Sequence, residues 1–205
     1  MFDQEFILMD TEFTAWEGSY QTGWSRPGEH RELLRLTAMR VGKDFTVQAI
    51  FDQLCKPRIN PTLSNYIIEL TGITQREVDA LERPTVDIIE DFFEFCPVDT
   101  MLFCYGNDEE ILQENLSLSD RELSSKRIER FRNLKDYLQQ TLSETLIAKT
   151  FSGMAYTLHQ DSEEAVRSMG LTERSHNPLW DIYSQLLLLR AMNGSTIIRT
   201  NDPIF

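Results

Sequence analysis

Three stretches of this 205-residue chain place acidic side chains where the backbone leaves a hydrophobic element. The run Phe6-Ile7-Leu8-Met9 reads as a buried strand and continues into Asp10 and Glu12. The two-residue period of a strand puts Asp10 and Glu12 on one face, with Met9, Thr11 and Phe13 on the other. Two carboxylates that project together repel unless a cation lies between them. The alternative is an ordinary solvated strand end. Asp108 follows a second apolar run, "MLFCYG", at a helix start, where it is either an N-cap or a third acid of the same site. In "HNPLWD", His176 lies in a loop, Pro178 suits a first helical turn, and Asp181 stands one turn in. Carboxylate oxygens without cysteine are the ligands that hard divalent cations select. A loop histidine that titrates near neutrality can take a proton from water, or can simply be solvated.

Such residues need a scaffold that brings them together. The first third of the chain reads as three strands: "EFILMDTEF", "ELLRLTAMRVG" and "FTVQAIFDQLCKP". Gly42, Lys43 and Asp44 supply a tight turn that makes a hairpin of the second and third. Ser64 caps a helix over "NYIIELTGI", Gly72 breaks it, and Thr74 with Glu77 forms a capping box for "QREVDAL". Pro84 precedes a helix over "TVDIIEDFFEFC". A strand over "TMLFCYG" leads to the helix "EEILQEN", and a strand-then-helix unit fits "RFRNLKDYLQQTL". "EEAVRSMGL" and "NPLWDIYSQLLLLRAM" read as closing helices. Antiparallel strands followed by strands alternating with helices predict an α/β protein, a mixed sheet flanked by helices. The expectation is one domain over 1–205, with its core to about residue 193. The tail 194–205 reads as an added edge strand or an oligomer contact.

A net charge of -13 argues against a general nucleic-acid coat protein, which needs a broad basic surface. It leaves room for an enzyme that grips a short stretch through metal ions and a local patch. Arg121, Lys126, Arg127, Arg130, Arg132 and Lys135 form such a cluster. They read either as a path for a phosphate backbone or as a solvated helix interleaved with Asp120, Glu122 and Glu129. Cys55, Cys96 and Cys104 match neither a zinc pattern nor a disulfide framework, so a reducing compartment, the cytoplasm, is expected. No apolar stretch approaches a membrane span, and the N-terminus does not read as a signal peptide.

The segments "DTEFTAWEG", "ELLRLTAMRVG", "NPTLSNYIIELTGIT", "YGNDEEIL", "RNLKDYL" and "HNPLWD" recur in order over almost the whole chain. In this the sequence resembles the DEDDh branch of the DnaQ-like 3′→5′ exonucleases, most of all the Eri-type RNA exonucleases and their small bacterial relatives. The resemblance implies an RNase H-like fold and a two-metal mechanism with Mg²⁺ or Mn²⁺. Carried over by position, Asp10, Glu12 and Asp181 would ligate the metal pair, with Asp10 between both ions. Asp108 would hold one ion, directly or through water, and His176 would be the general base. The expected substrate is single-stranded nucleic acid, RNA before DNA, and the product a nucleoside monophosphate. Thr11 and Thr14 would contact the terminal sugar through backbone or hydroxyl, Ile73 would line the base pocket or serve only its turn, and Trp16 and Phe13 would stack on bases, with Phe13 alternatively a core residue. Two features depart from the family's pattern. Asn107 precedes Asp108 where some relatives carry an aromatic residue, which leaves Glu109 as the alternative third acid. Arg35 stands where relatives often carry an acidic or uncharged residue. A DNA-directed repair or proofreading exonuclease, and a non-catalytic binding module on the same fold, are the rival readings. Oligomeric state is open, with a homodimer among the arrangements.

Overall fold

The computed structural model describes residues 2–141 and 177–193. Its centre is a five-stranded sheet in the order β3-β2-β1-β4-β5. The strands are β1 (Phe6–Phe13), β2 (Leu33–Val41), β3 (Val47–Leu54), β4 (Met101–Cys104) and β5 (Phe131–Asn133). β1, β2 and β3 pair antiparallel, whereas β4 and β5 extend the sheet parallel to β1. The helices described are α1 (Ser19–Thr22), α2 (Asn65–Thr71), α3 (Gln75–Asp79), α4 (Thr85–Phe95), α5 (Asp108–Ser117), α6 (Ser125–Ile128), α7 (Leu134–Thr141) and α8 (Pro178–Met192). The mixed sheet with flanking helices expected from the sequence is present. The expected helix "EEAVRSMGL" and the tail lie outside the described residues.

Strand alternation splits the core. Phe6, Leu8, Met39, Val41 and Phe103 face α8 and pack against Ile182, Tyr183, Leu186, Leu187 and Leu189. Ile7, Met9, Leu36, Ala38, Leu102 and Cys104 face the other way, onto Ile88, Ile89 and Phe92 of α4 and Ile111, Leu112 and Leu116 of α5. Burying each such side chain is worth roughly 1.5–3 kcal/mol, so the sheet is clamped from both faces. A third cluster, around Leu34, Leu63, Ile67, Ile73 and Val78, seats α2 and α3 beyond the end of β1.

The local punctuation follows the sequence. Ser64 accepts a hydrogen bond from the Ile67 amide at the start of α2, and Gly72 ends that helix at φ 73, a left-handed conformation that glycine adopts without strain. Thr74 and Glu77 close the capping box of α3. In the β2–β3 hairpin the Phe45 amide donates to the Gly42 carbonyl at 2.8 Å, and Phe45 takes φ 61. That carbonyl-bearing turn is held by Arg190 of α8, fully buried, whose Nε and Nη2 donate to the Phe45 oxygen at 2.9 and 2.6 Å.

The basic cluster is largely engaged with protein groups, while Arg121, Lys126, Arg132 and Lys135 stay exposed. Arg127 pairs with Glu90 at 2.7 Å and lies over the Phe93 ring, and Arg121 reaches the same glutamate. Lys126 pairs with Asp99. Arg130 donates to the Thr100 and Pro97 carbonyls, and Arg132 to the carbonyls of Glu129 and Phe131. These guanidinium groups tie α6 and β5 to α4 and its following turn. Among the described residues no helix is long and apolar enough to cross a membrane.

Candidate active site

The face of β1 that is apolar at Phe6 and Leu8 becomes acidic at Asp10 and Glu12. The sheet changes character there because α8 covers only the apolar half with hydrophobic residues and brings its N-terminus over the acidic half. Asn177 starts that helix: its Oδ1 accepts from the amides of Leu179 and Trp180 at 3.1 and 3.4 Å. The Asp181 amide then donates to the Asn177 carbonyl at 2.9 Å, the first helical bond. Ile182 and Leu186 dock the helix on the sheet, and this sets Asp181 beside the β1 acids. One carboxylate oxygen from each of Asp10, Glu12 and Asp181 lies within 4.8 Å of the others, with Glu12 buried and the other two half-buried. The pairing of β1 with β2 slips between Glu12 and Phe13, a bulge of the kind that re-aims side chains beside sites.

Asp108 is the first residue of α5, directly behind β1. It does not cap the helix. Its Oδ1 accepts from the Thr11 amide at 3.0 Å and from the Thr11 hydroxyl at 2.6 Å. This fixes the carboxylate against the strand that carries Asp10 and Glu12. Glu109, the alternative third acid, lies instead near the Cys104 thiol, at 3.7 Å.

The electrostatics mark the cluster as short of positive charge. Burial pushes the Glu12 carboxyl up to about 8, and the charges of Asp181 and Asp108 add to the rise, with Arg35 opposing it. Asp10 is raised well above the ordinary range, first by burial, then by Asp108, Glu12 and Asp181. Burial also lifts Asp108, to about 6, against the downward pull of the Thr11 hydrogen bonds. A divalent cation among these oxygens would reverse the cost by supplying the missing charge. The donor set is all carboxylate, which suits Mg²⁺ or Mn²⁺ and not a thiolate-seeking metal.

The predicted substrate contacts divide. Thr14 is buried, and its hydroxyl donates to the His30 carbonyl at 2.5 Å and accepts from the Glu32 amide at 2.9 Å. The Thr11 hydroxyl is likewise committed, to Asp108. Phe13 packs against the α4/α5 core and against Trp24, with ring centroids 5.4 Å apart. Trp16 is half-buried at the start of the loop that contains α1. Ile73 is buried, yet it lines a groove of about 660 Å³ together with Arg35, Gln53, Thr71, Glu77 and Asn177. His176 lies outside the described residues.

Two features went unread in the sequence. Arg35, opposite Glu12 across the β1–β2 ladder, is gripped by Asp52 through Nε at 2.7 Å and Nη2 at 2.6 Å. Glu32, buried, accepts the amides of Arg58, Ile59 and Asn60 at 2.5, 2.7 and 2.5 Å. It latches the segment before α2 onto the start of β2, and so holds the Ile73 side of the groove in place.

In comparisons with known proteins, no curated protein sequence gives a match. Solved structures do. The nuclease domain of 3'hExo, a DEDDh family member bound to rAMP, superimposes with a TM-score of 0.68 at 19% identity, covering 96% of this chain and 95% of that one. Cell-death related nuclease 4 (CRN-4) gives 0.66 at 16% identity, over 93% of this chain and 64% of its own. E. coli Exonuclease I in complex with a dT13 oligonucleotide gives 0.61 at 15% identity, over 93% of this chain and 41% of its own. At such identities the likeness establishes the fold, which is that of the RNase H-like exonucleases. The RNase_T exonuclease family model matches residues 7–186, a span that begins in β1 before Asp10 and ends in α8 beyond Asp181, and the chain belongs to that exonuclease family.

Proposed function

We propose that the protein is a metal-dependent 3′→5′ exonuclease that removes nucleoside monophosphates from single-stranded nucleic acid, with RNA preferred to DNA. The observation that carries this reading is the convergence of Asp10, Glu12 and Asp181 within 4.8 Å on an exonuclease fold. In this reading those three acids would hold the divalent cations, Mg²⁺ or Mn²⁺, that the chemistry needs. Asp108, braced by Thr11, would help to hold one of them. The ions when bound would polarise the scissile phosphate and stabilise the attacking and leaving oxygens.

The chain's own residues supply the rest. The groove lined by Ile73, Thr71 and Gln53 beside the acids seats the terminal nucleoside. Trp16, at the mouth of the following loop, offers a face for base stacking. His176 precedes Asn177, which lines the groove, and takes the proton from the attacking water. Asp108 and Glu12 are buried, and the lower dielectric there strengthens each charge interaction. The RNA preference draws on the sequence resemblance. The solved relatives point both ways: one 3′-exonuclease is described in recognition of a histone mRNA stem-loop, and E. coli Exonuclease I in complex with a DNA oligonucleotide.

The test uses matched RNA and DNA oligonucleotides labelled at either end, with Mg²⁺, Mn²⁺ or EDTA. The proposal expects a ladder shortening from the 3′ end, metal-dependent, faster on RNA, and lost in Asp10→Asn. Cleavage from the 5′ end, or activity that survives EDTA, refutes it.

A further inference from the structure

Arg35 is the one cation set opposite a carboxylate of the candidate metal cluster in the strand register. Glu12 and Arg35 are direct partners in the β1–β2 ladder, and Asp10 and Thr37 are the next pair but one on the same face. Directly opposed residues on antiparallel strands have Cβ atoms about 4.5–5.5 Å apart, well within reach of a guanidinium. An unrestrained Arg35 would therefore lie across Glu12 and occupy the oxygens that a cation needs. It does not. Asp52 on β3 engages both Nε and Nη2 in a fork, and Thr37 donates to the same Asp52 oxygen at 2.9 Å. Thr37 and Asp52 are themselves ladder partners, so the anchor is rigid on both sides. Nη1 donates no hydrogen bond among the described residues, and Arg35 lines the groove. A bidentate Arg–carboxylate pair fixes direction as well as distance.

We propose that Asp52 and Thr37 form a restraint that holds Arg35 off Glu12, and that this restraint keeps the carboxylate cluster open to divalent cations. Asp52 is thus a positioning residue that acts on the metal site through Arg35. The strongest partner of Arg35 is Asp52, and the Glu12 charge acts on it more weakly. The proposal rests on the reading of Asp10, Glu12 and Asp181 as metal ligands.

The test is Mn²⁺ binding to the full chain without nucleic acid, read by electron paramagnetic resonance titration. Four proteins are compared: wild type, Asp52→Asn, Arg35→Gln, and the double variant. Freed by Asp52→Asn, Arg35 swings to Glu12, and Mn²⁺ affinity falls about 10- to 100-fold, the range typical for loss of a residue that supports a metal ligand. Adding Arg35→Gln to that variant removes the competitor and restores affinity to the wild-type range. A purely structural role predicts the opposite, that the double variant binds as weakly as Asp52→Asn or more so. That result, or unchanged affinity in Asp52→Asn, overturns the proposal. If Asp52→Asn does not fold, Thr37→Val keeps volume and loosens only one bond to Asp52. It should then weaken Mn²⁺ binding in the same direction and to a smaller extent, and unchanged binding counts against the proposal. Failure of wild type itself to bind Mn²⁺, or binding unaltered by Asp10→Asn, marks instead the failure of the underlying ligand assignment.

Discussion

The charge state of Glu12 gives the sharpest physical prediction. Its carboxyl is buried among Asp10, Asp108 and Asp181, and its folded-state value rises from 4.5 to about 8. The unfolded chain therefore releases this proton first as pH rises. The stability contributed by the group is fully present below about 4.5 and is lost as pH climbs through about 8. At 1.36 kcal/mol per pH unit the whole rise corresponds to about 5 kcal/mol, of which about 4 kcal/mol falls between pH 5 and 8.5. That is a large share of the roughly 5–15 kcal/mol that holds a domain folded. Glu12→Gln removes the titration and keeps the shape. Urea denaturation in EDTA at the two pH values measures the effect. The metal-free wild type should lose stability with rising pH, and the variant should lose about 4 kcal/mol less, the remainder coming from Asp10 and Asp108. Mn²⁺ should restore the wild type at high pH and stabilise Glu12→Gln less. Equal pH slopes for the two metal-free proteins would refute the argument, because Glu12 would then carry no burial cost.

Three further predictions concern the parts that hold the cluster in place. Thr11→Val removes the 2.6 Å hydroxyl bond to Asp108 and should cost about 1.5–3 kcal/mol in chemical denaturation, with a drop in nuclease rate at limiting metal. Glu32→Gln turns an amide donor toward the Asn60 N–H and should cost about 1–3 kcal/mol. It should also raise hydrogen exchange at residues 58–60, and unchanged exchange there would show that the latch is not needed. Leu186→Ala, in the contact between α8 and the sheet, should destabilise by about 2–5 kcal/mol. Because it loosens the helix that carries Asp181, its metal affinity should fall as well.

Much of the fold was written in local signals. The strand runs, the Gly42 turn, the Ser64 cap and the Thr74–Glu77 box act over a few residues, and each appears where the sequence places it. The acids were legible for the same reason: a strand's alternation puts Asp10 and Glu12 together, and one helical turn places Asp181 after Pro178. The Arg35–Asp52 pair was not. Counting outward from the hairpin turn misses it, because the β2–β3 register shifts between Arg40 and Val41. One residue of slip moves every side chain to the other face, so the naive count sets Thr37 opposite Phe51 instead of Asp52. The structural bonds of Thr14 and Glu32 went unnoticed for a related reason. Their partners are carbonyls and amides from distant turns, and side-chain chemistry alone does not announce such bonds. The basic residues from Arg121 to Arg132 were legible only as charge, since sequence does not show the carbonyls and carboxylates that several of them engage.

Anomalous diffraction from crystals soaked in Mn²⁺ tests the central claim most directly. The account predicts two peaks among the oxygens of Asp10, Glu12 and Asp181, with Asp10 touching both and one peak lying on the Asp108 side. Crystals of Asp10→Asn should lose at least one of them. A wild-type cluster that stays free of Mn²⁺, or peaks held by other residues, would contradict it.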